Sequence, residues 1–168
     1  MPALFLDDGT QLTQSEAIAR YISRNYKGTN GEDLYPTRDA DTCYEIDLIL
    51  KDVAVINYKL SNFIIPFYPG YKNKDQLFIE FICKLLPDYL EKIEARLAAH
   101  KDKFILGKDI TLADFSMATP FFKLSHNDGF EYSHIVDSVI SKYPKSRAWI
   151  QNFYSINKES LTKFVRPM

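Results

Sequence analysis

In the stretch Phe104-Ile105-Leu106-Gly107-Lys108-Asp109-Ile110-Thr111-Leu112-Ala113-Asp114-Phe115, a glycine-containing turn runs into the start of a helix. Thr111 and Asp114 stand three apart, the spacing of a capping box with Asp in place of Glu. Ile110 and Phe115 have the spacing of a hydrophobic staple across that start. The pair Thr111 and Asp114 therefore reads as a structural cap on a core helix rather than as catalytic residues. Losing such a cap costs about 0.5–2 kcal/mol, and more where the capping side chain is buried.

Working outward, Pro120 ends or bends this core helix, and Val136–Lys142 reads as a short helix. Pro144 suits the first turn of the next, Lys145–Ser155, with Trp149, Ile150 and Phe153 on one face. A last turn, Ser160–Phe164, closes the chain. Upstream, Asp75–His100 carries Leu77, Phe81, Leu85, Leu90, Ile93 and Leu97 along one stripe, with a kink expected at Pro87. Before it, Thr37 can cap a long amphipathic helix, Arg38–Phe63, with apolar residues at Tyr44, Ile46, Leu48, Ile49, Val53, Ile56 and Leu60. Pro66, Pro69 and Gly70 end that helix. Residues 37–168 thus read as an all-helical domain, and the Gly-, Asn- and Pro-rich residues 27–36 as a linker.

Residues 1–26 have a different grammar. The apolar run Ala3–Leu6 meets the turn signal Asp7-Asp8-Gly9, Thr10–Thr13 forms a return strand, and Gln14-Ser15-Glu16 opens a helix with Ala17, Ile18, Tyr21 and Ile22 at helical spacing. A two-stranded hairpin with one helix is marginal alone, so the helical body or a partner chain has to cover it. Read from the residues alone, Ser15 is an N-cap and Pro2 the start of an edge strand.

Composition narrows the field. With 168 residues, 46% of them apolar, the chain can bury one sizeable core. A net charge of −1 gives no footprint for nucleic acid. Cys43 and Cys83 lie far apart, without metal or redox spacing, and read as small apolar fillers in a reducing, cytoplasmic setting. His100, His126 and His134 show no ligand spacing, so no metal is expected. No apolar run is long enough to span a membrane, and no secretory leader is expected.

Several of these motifs resemble the cytosolic glutathione S-transferases, most closely the sigma-like members. Pro2-Ala3-Leu4 resembles the family's Pro-x-Leu, and Gln14-Ser15-Glu16-Ala17-Ile18-Ala19-Arg20-Tyr21-Ile22 its Gln-Ser-x-Ala-Ile-x-Arg-Tyr-Leu helix start. Phe104 to Phe115 resembles its Leu-x-Gly-x-x-x-Thr-x-Ala-Asp core-helix motif, and Tyr143-Pro144 with Trp149 and the tail Lys163–Pro167 extend the likeness over nearly the whole chain. The resemblance implies a partial thioredoxin-like domain over 1–26, then the linker and the all-helical C-terminal domain. It implies glutathione as substrate, with Gln14 and Ser15 on its γ-glutamyl end and Met1 and Pro2, at a cis bond, beside its cysteinyl unit. It also implies a homodimer, in which an acid on the first long helix reaches the partner's glutathione. Lys51 stands at that position here and Asp52 one residue later, so Asp52 serves only if the helix rotates by about 100° or the register shifts. The electrophile would sit near Ile56, Tyr58 and Phe164.

The family's catalytic Tyr or Ser belongs to a β-α-β half that precedes the Pro, and none of the eleven tyrosines here occupies that position. Two expectations follow: a transferase that conjugates glutathione thiolate to electrophiles once a complete N-terminal half is supplied, or a noncatalytic scaffold that docks with protein partners in a larger assembly.

Overall fold

In the computed structural model, which describes residues 2–64, 74–125 and 130–162, the hairpin forms first. Strands β1 (Ala3–Phe5) and β2 (Gln11–Thr13) pair antiparallel with Leu4 opposite Leu12. Between them Gly9 takes φ 85, the Leu6 carbonyl accepts from Gly9 N–H at 2.9 Å, and Asp8 Oδ1 accepts from Thr10 N–H at 2.8 Å. This is the positive-φ turn that Asp-Gly permits. Helix α1 (Ser15–Asn25) follows. Its half-buried face is Ile18, Ala19 and Tyr21, while Ala17 and Ile22, expected inward from their spacing, are exposed.

Residues 27–36 contain neither helix nor strand, yet they are anchored: Tyr35 is buried, and the Leu34 carbonyl accepts from Leu112 N–H at 2.8 Å. Helix α2 (Ala40–Ile64) starts two residues later than expected because Asp39, not Thr37, caps it. Asp39 Oδ1 accepts from Thr42 N–H at 3.1 Å and Oδ2 from the Thr42 hydroxyl at 2.6 Å, which holds the Asp39 carboxyl below its ordinary pKa. Ile46, Ile49, Leu50 and Val53 form the buried stripe; Tyr44 and Leu48 face solvent. Pro66, Pro69 and Gly70 lie outside the described residues.

The expected 75–100 helix is α3 (Lys74–Glu80), a π-helical turn (Phe81–Leu85) and α4 (Leu86–His100) in unbroken succession. Leu86 N–H donates to the Phe81 carbonyl, and Pro87, which has no N–H to give, sits in the first turn of α4. The π turn is where the helix takes up the irregularity that a proline brings. It also brings Phe78, Leu86 and Tyr89 into the core beside Phe81, Leu90, Ile93 and Leu97.

Helix α5 (Leu112–Leu124) continues past Pro120, so the proline does not end it. Helix α6 is Ser133–Ile140, three residues earlier than expected, and α7 is Pro144–Thr162, which takes in the start of the expected last turn; Phe164 lies outside the described residues. Pro144 opens α7, whose third residue is capped from another helix: Glu94 Oε1 of α4 accepts from Ser146 N–H at 2.6 Å. Helices α2, α4, α5 and α7 enclose one core, in which Trp149, Phe121 and Phe153 stack edge to face or tilted. Arg96 of α4 also pairs with Glu45 of α2 at 2.9 Å.

Candidate functional site

Two helix starts carry the residues singled out by sequence. At α5, Asp114 is fully buried and accepts four hydrogen bonds. Oδ1 takes Ile105 N–H and Trp149 Nε1–H, each at 2.9 Å, and Oδ2 takes Thr111 N–H at 2.9 Å and the Thr111 hydroxyl at 3.2 Å. Phe104 and Gly107 bridge to each other, with Gly107 at φ 136, and this tight turn aims Ile105 N–H at the carboxylate. Burial lifts the Asp114 carboxyl above its ordinary pKa; the Ile105, Thr111 and Trp149 donors pull the other way without overcoming it. Phe115 sets its ring edge-on to Phe153 at 5.1 Å.

At α1 the arrangement is open. Gln14 is the residue before the helix and has φ 72, ψ 114, a backbone region costly for a side-chain-bearing residue. No side-chain hydrogen bond caps this start, so Ser15 is the first helical residue rather than an N-cap. Gln14 and Ser15 are both exposed. Ser15, Glu16 and Ala19 line an open groove of about 380 Å³ whose far wall is Val53 and Asn57 of α2 and Thr119 of α5. Pro2 is exposed ahead of β1; Met1 lies outside the described residues.

What holds α1 against the body is a network that sequence reading missed. Arg20 Nε donates to Asp47 Oδ1 of α2 at 2.6 Å, and the Tyr35 hydroxyl donates to Asp47 Oδ2 at 3.1 Å. Arg24 lies over the Tyr35 ring, 4.5 Å from its centroid. Burial, with Asp47 nearby, pushes the Tyr35 hydroxyl up in pKa although Arg24 opposes it, and bonding to Asp47 raises Arg20 despite partial desolvation. The signal was present as Arg20 in the helix motif and Asp47 beside Ile46, but residues 27 positions apart reveal no pairing in one sequence.

Asp52 does not join the Ser15 groove. It lines a separate cavity with Ile56 and Tyr89, while Lys51 and Tyr58 are exposed; Phe164 lies outside the described residues. Cys43 is half-buried, with Sγ 3.2 Å from the Pro36 carbonyl, but Cys83 is exposed on the π turn, so it is not a core filler. His100 and His134 are exposed and His126 lies outside the described residues. Among the described residues no group of His, Cys, Asp and Glu could hold a metal ion, and no helix is long and apolar enough to cross a membrane.

Comparison with known proteins identifies the family. Residues 59–164 match the family model described as "Glutathione S-transferase, C-terminal domain". A glutathione S-transferase of Dirofilaria immitis is 32% identical over 113 residues, covering 66% of this chain and 48% of that protein. Glutathione S-transferase 1 of Triticum aestivum is 29% identical over 162 residues, covering 86% and 63%. This chain thus spans between about half and two thirds of such relatives. Among solved structures, glutathione transferase F7 of Populus trichocarpa superposes with a TM-score of 0.76 at 22% identity, over 99% of this chain and 75% of that one. The glutathione S-transferase Blo t 8 gives 0.71 at 18%, over 96% and 67%. At those identities the structures speak to the fold.

Proposed function

The chain belongs to the glutathione S-transferase family, and from that membership we propose that its Gln14–Ser15 turn holds the γ-glutamyl end of glutathione. The observation that carries the reading is the backbone of Gln14, held at positive φ directly before a helix start that no side chain caps. Strain of this kind costs on the order of 1–3 kcal/mol and tends to be kept where it positions a ligand group. An uncapped helix start offers amide N–H groups and partial positive charge to a carboxylate, and the exposed Ser15 hydroxyl adds a donor. Glu16, in the same groove, supplies the negative charge that an α-ammonium group requires. Pro2, with Met1, takes the cysteinyl side.

In this proposal the full reaction, addition of glutathione thiolate to an electrophile, proceeds once a complete N-terminal half supplies a hydroxyl aimed at the sulfur, because a free thiol has a pKa of about 8.5. A sigma-like character, a cytoplasmic setting and a homodimer, with Asp52 turned toward the partner's glutathione, belong to the same proposal. The alternative reading is the noncatalytic scaffold that docks with protein partners. Two assays separate the readings. Immobilised glutathione retains the chain, and Gln14→Ala with Ser15→Ala abolishes retention; equal retention of the double variant would place the site elsewhere. The 168-residue chain alone gives no conjugation of chlorodinitrobenzene; turnover would rule out the scaffold.

A further inference from the structure

An open pocket of about 440 Å³ lies where the end of α4 meets the start of α7, and none of its residues lines the Ser15 groove. Lys145 reaches it from α7, with Ala148, Trp149 and Asn152 at the following positions of the same helix face. Leu97 lines it from α4. Just past α4, Lys101 adopts φ 57 and donates its N–H to the Leu97 carbonyl at 3.0 Å. That left-handed turn carries Lys101, Asp102 and Lys103 onto the rim of the pocket. Glycine is the usual residue at such a helix end; here the chain holds a lysine there against backbone preference.

We infer that this pocket binds a phosphate group carried on a compact organic body, a phosphate monoester. The amide Nδ2 of Asn152 is buried and has no hydrogen-bond partner among the described residues. A buried donor is costly to leave unpaired, and only an acceptor answers it. The rim sets the charge of that acceptor. Lys101, Lys103 and Lys145 stand against the single acid Asp102, and among the described residues none of the three lysines has an ion-pair partner. A phosphate group gives one oxygen to the Asn152 amide and leaves others for the ammonium groups, which bind phosphate as point charges. A cation is repelled by the same rim, and a neutral ligand leaves the lysines unanswered. Pockets of about 300–1,000 Å³ suit small organic ligands, so the ester's body also has room. Its contacts are Leu97, Ala148 and Trp149, whose indole N–H is already given to Asp114, so that the ring offers only apolar surface.

Phenyl phosphate is titrated into the full ¹⁵N-labelled chain, with the side-chain amide of Asn152 and the fluorescence of Trp149, the single tryptophan, as readouts. Both should follow one saturable curve. Inorganic phosphate should move the same amide about tenfold more weakly, for want of the apolar contacts, and phenol should give no saturable shift. Asn152→Leu removes the unpaired donor at similar volume, so it should weaken phenyl phosphate about tenfold without loss of stability in urea; an asparagine with a merely structural role would take stability with it. Should that variant lose its helical circular dichroism, Lys103→Gln with Lys145→Gln, both exposed, gives the same weakening. Retention on immobilised glutathione is unchanged in either variant. No saturable shift of the Asn152 amide, equal binding of phenol or of inorganic phosphate, or a folded variant that binds phenyl phosphate as well as the parent would each overturn the inference.

Discussion

Helices α5 and α1 begin in opposite ways. At α5 the chain satisfies its own helix start: Leu34 accepts from Leu112, Thr111 and Asp114 close on each other, and Ile105 and Trp149 fill the remaining lone pairs of a fully buried carboxylate. At α1 no side chain closes the start, the preceding residue is held at φ 72, and Ser15 stands in an open groove. A helix N-terminus has the same unsatisfied amides and the same partial charge wherever it occurs. The difference is what the fold brings to it. A closed start joins a turn, a helix and Trp149 into one core; an open start leaves Ser15 on an open groove.

The contrast breaks most visibly at Asp114. Asp114→Ala leaves the amides of Ile105 and Thr111 and the indole N–H of Trp149 buried without their acceptor, and each such group costs about 1–3 kcal/mol. A loss of about 3–5 kcal/mol in urea unfolding is expected, with the hairpin and helical body lost together. Acidity gives a subtler reading of the same residue. Burial raises the Asp114 pKa in the fold, so the folded chain binds that proton more tightly than the unfolded one. The associated stability is complete below the ordinary carboxylate pKa of about 3.9 and fades as pH rises through the lifted value. The advantage of wild type over Asp114→Asn should therefore be widest near about pH 4 and narrow toward neutrality; an advantage that grows with pH would mean the four donors outweigh desolvation.

The tie between the regions comes next. Asp47→Asn weakens both the Arg20 and Tyr35 bonds, and α1 should exchange its amide hydrogens about fivefold faster, the equivalent of about 1 kcal/mol, while α2 and α5 keep their protection. Smallest is the effect at Gln14. Gln14→Gly relaxes the positive φ and should raise stability by up to about 1 kcal/mol, while retention on immobilised glutathione falls. A substitution that stabilises and disarms together marks a residue kept for a ligand.

How far the sequence disclosed this follows from where each signal lies. The Thr111–Asp114 spacing and the Asp-Gly turn are local, and both appear as read; residues 104–115 even hint at burial through the apolar residues around Asp114. Helix existence followed from periodicity, but edges moved where a neighbour intervened: Asp39 outcompeted Thr37 as a cap, and α7 ran on through Thr162 with its start capped by Glu94, 52 positions away. Pro120 failed as a stop because α5 is packed in the core on both sides of it, with Ala118 and Phe121 buried. The Arg20–Asp47–Tyr35 network was invisible because side-chain meetings between elements leave no period. At the candidate site, Gln14 and Ser15 were legible from motif alone. The positive φ at Gln14, on which the proposed ligand-holding role rests, exists only in three dimensions.

The central question is whether the open start binds what the closed one cannot. Titration of reduced glutathione into the uniformly ¹⁵N-labelled chain tests this most directly, by following backbone amide resonances. Saturable shifts centred on Ser15 and Glu16 are expected, with the resonances of Thr111 to Asp114 unmoved. Shifts centred on α5, or none at α1 at saturating glutathione, would contradict the proposed site.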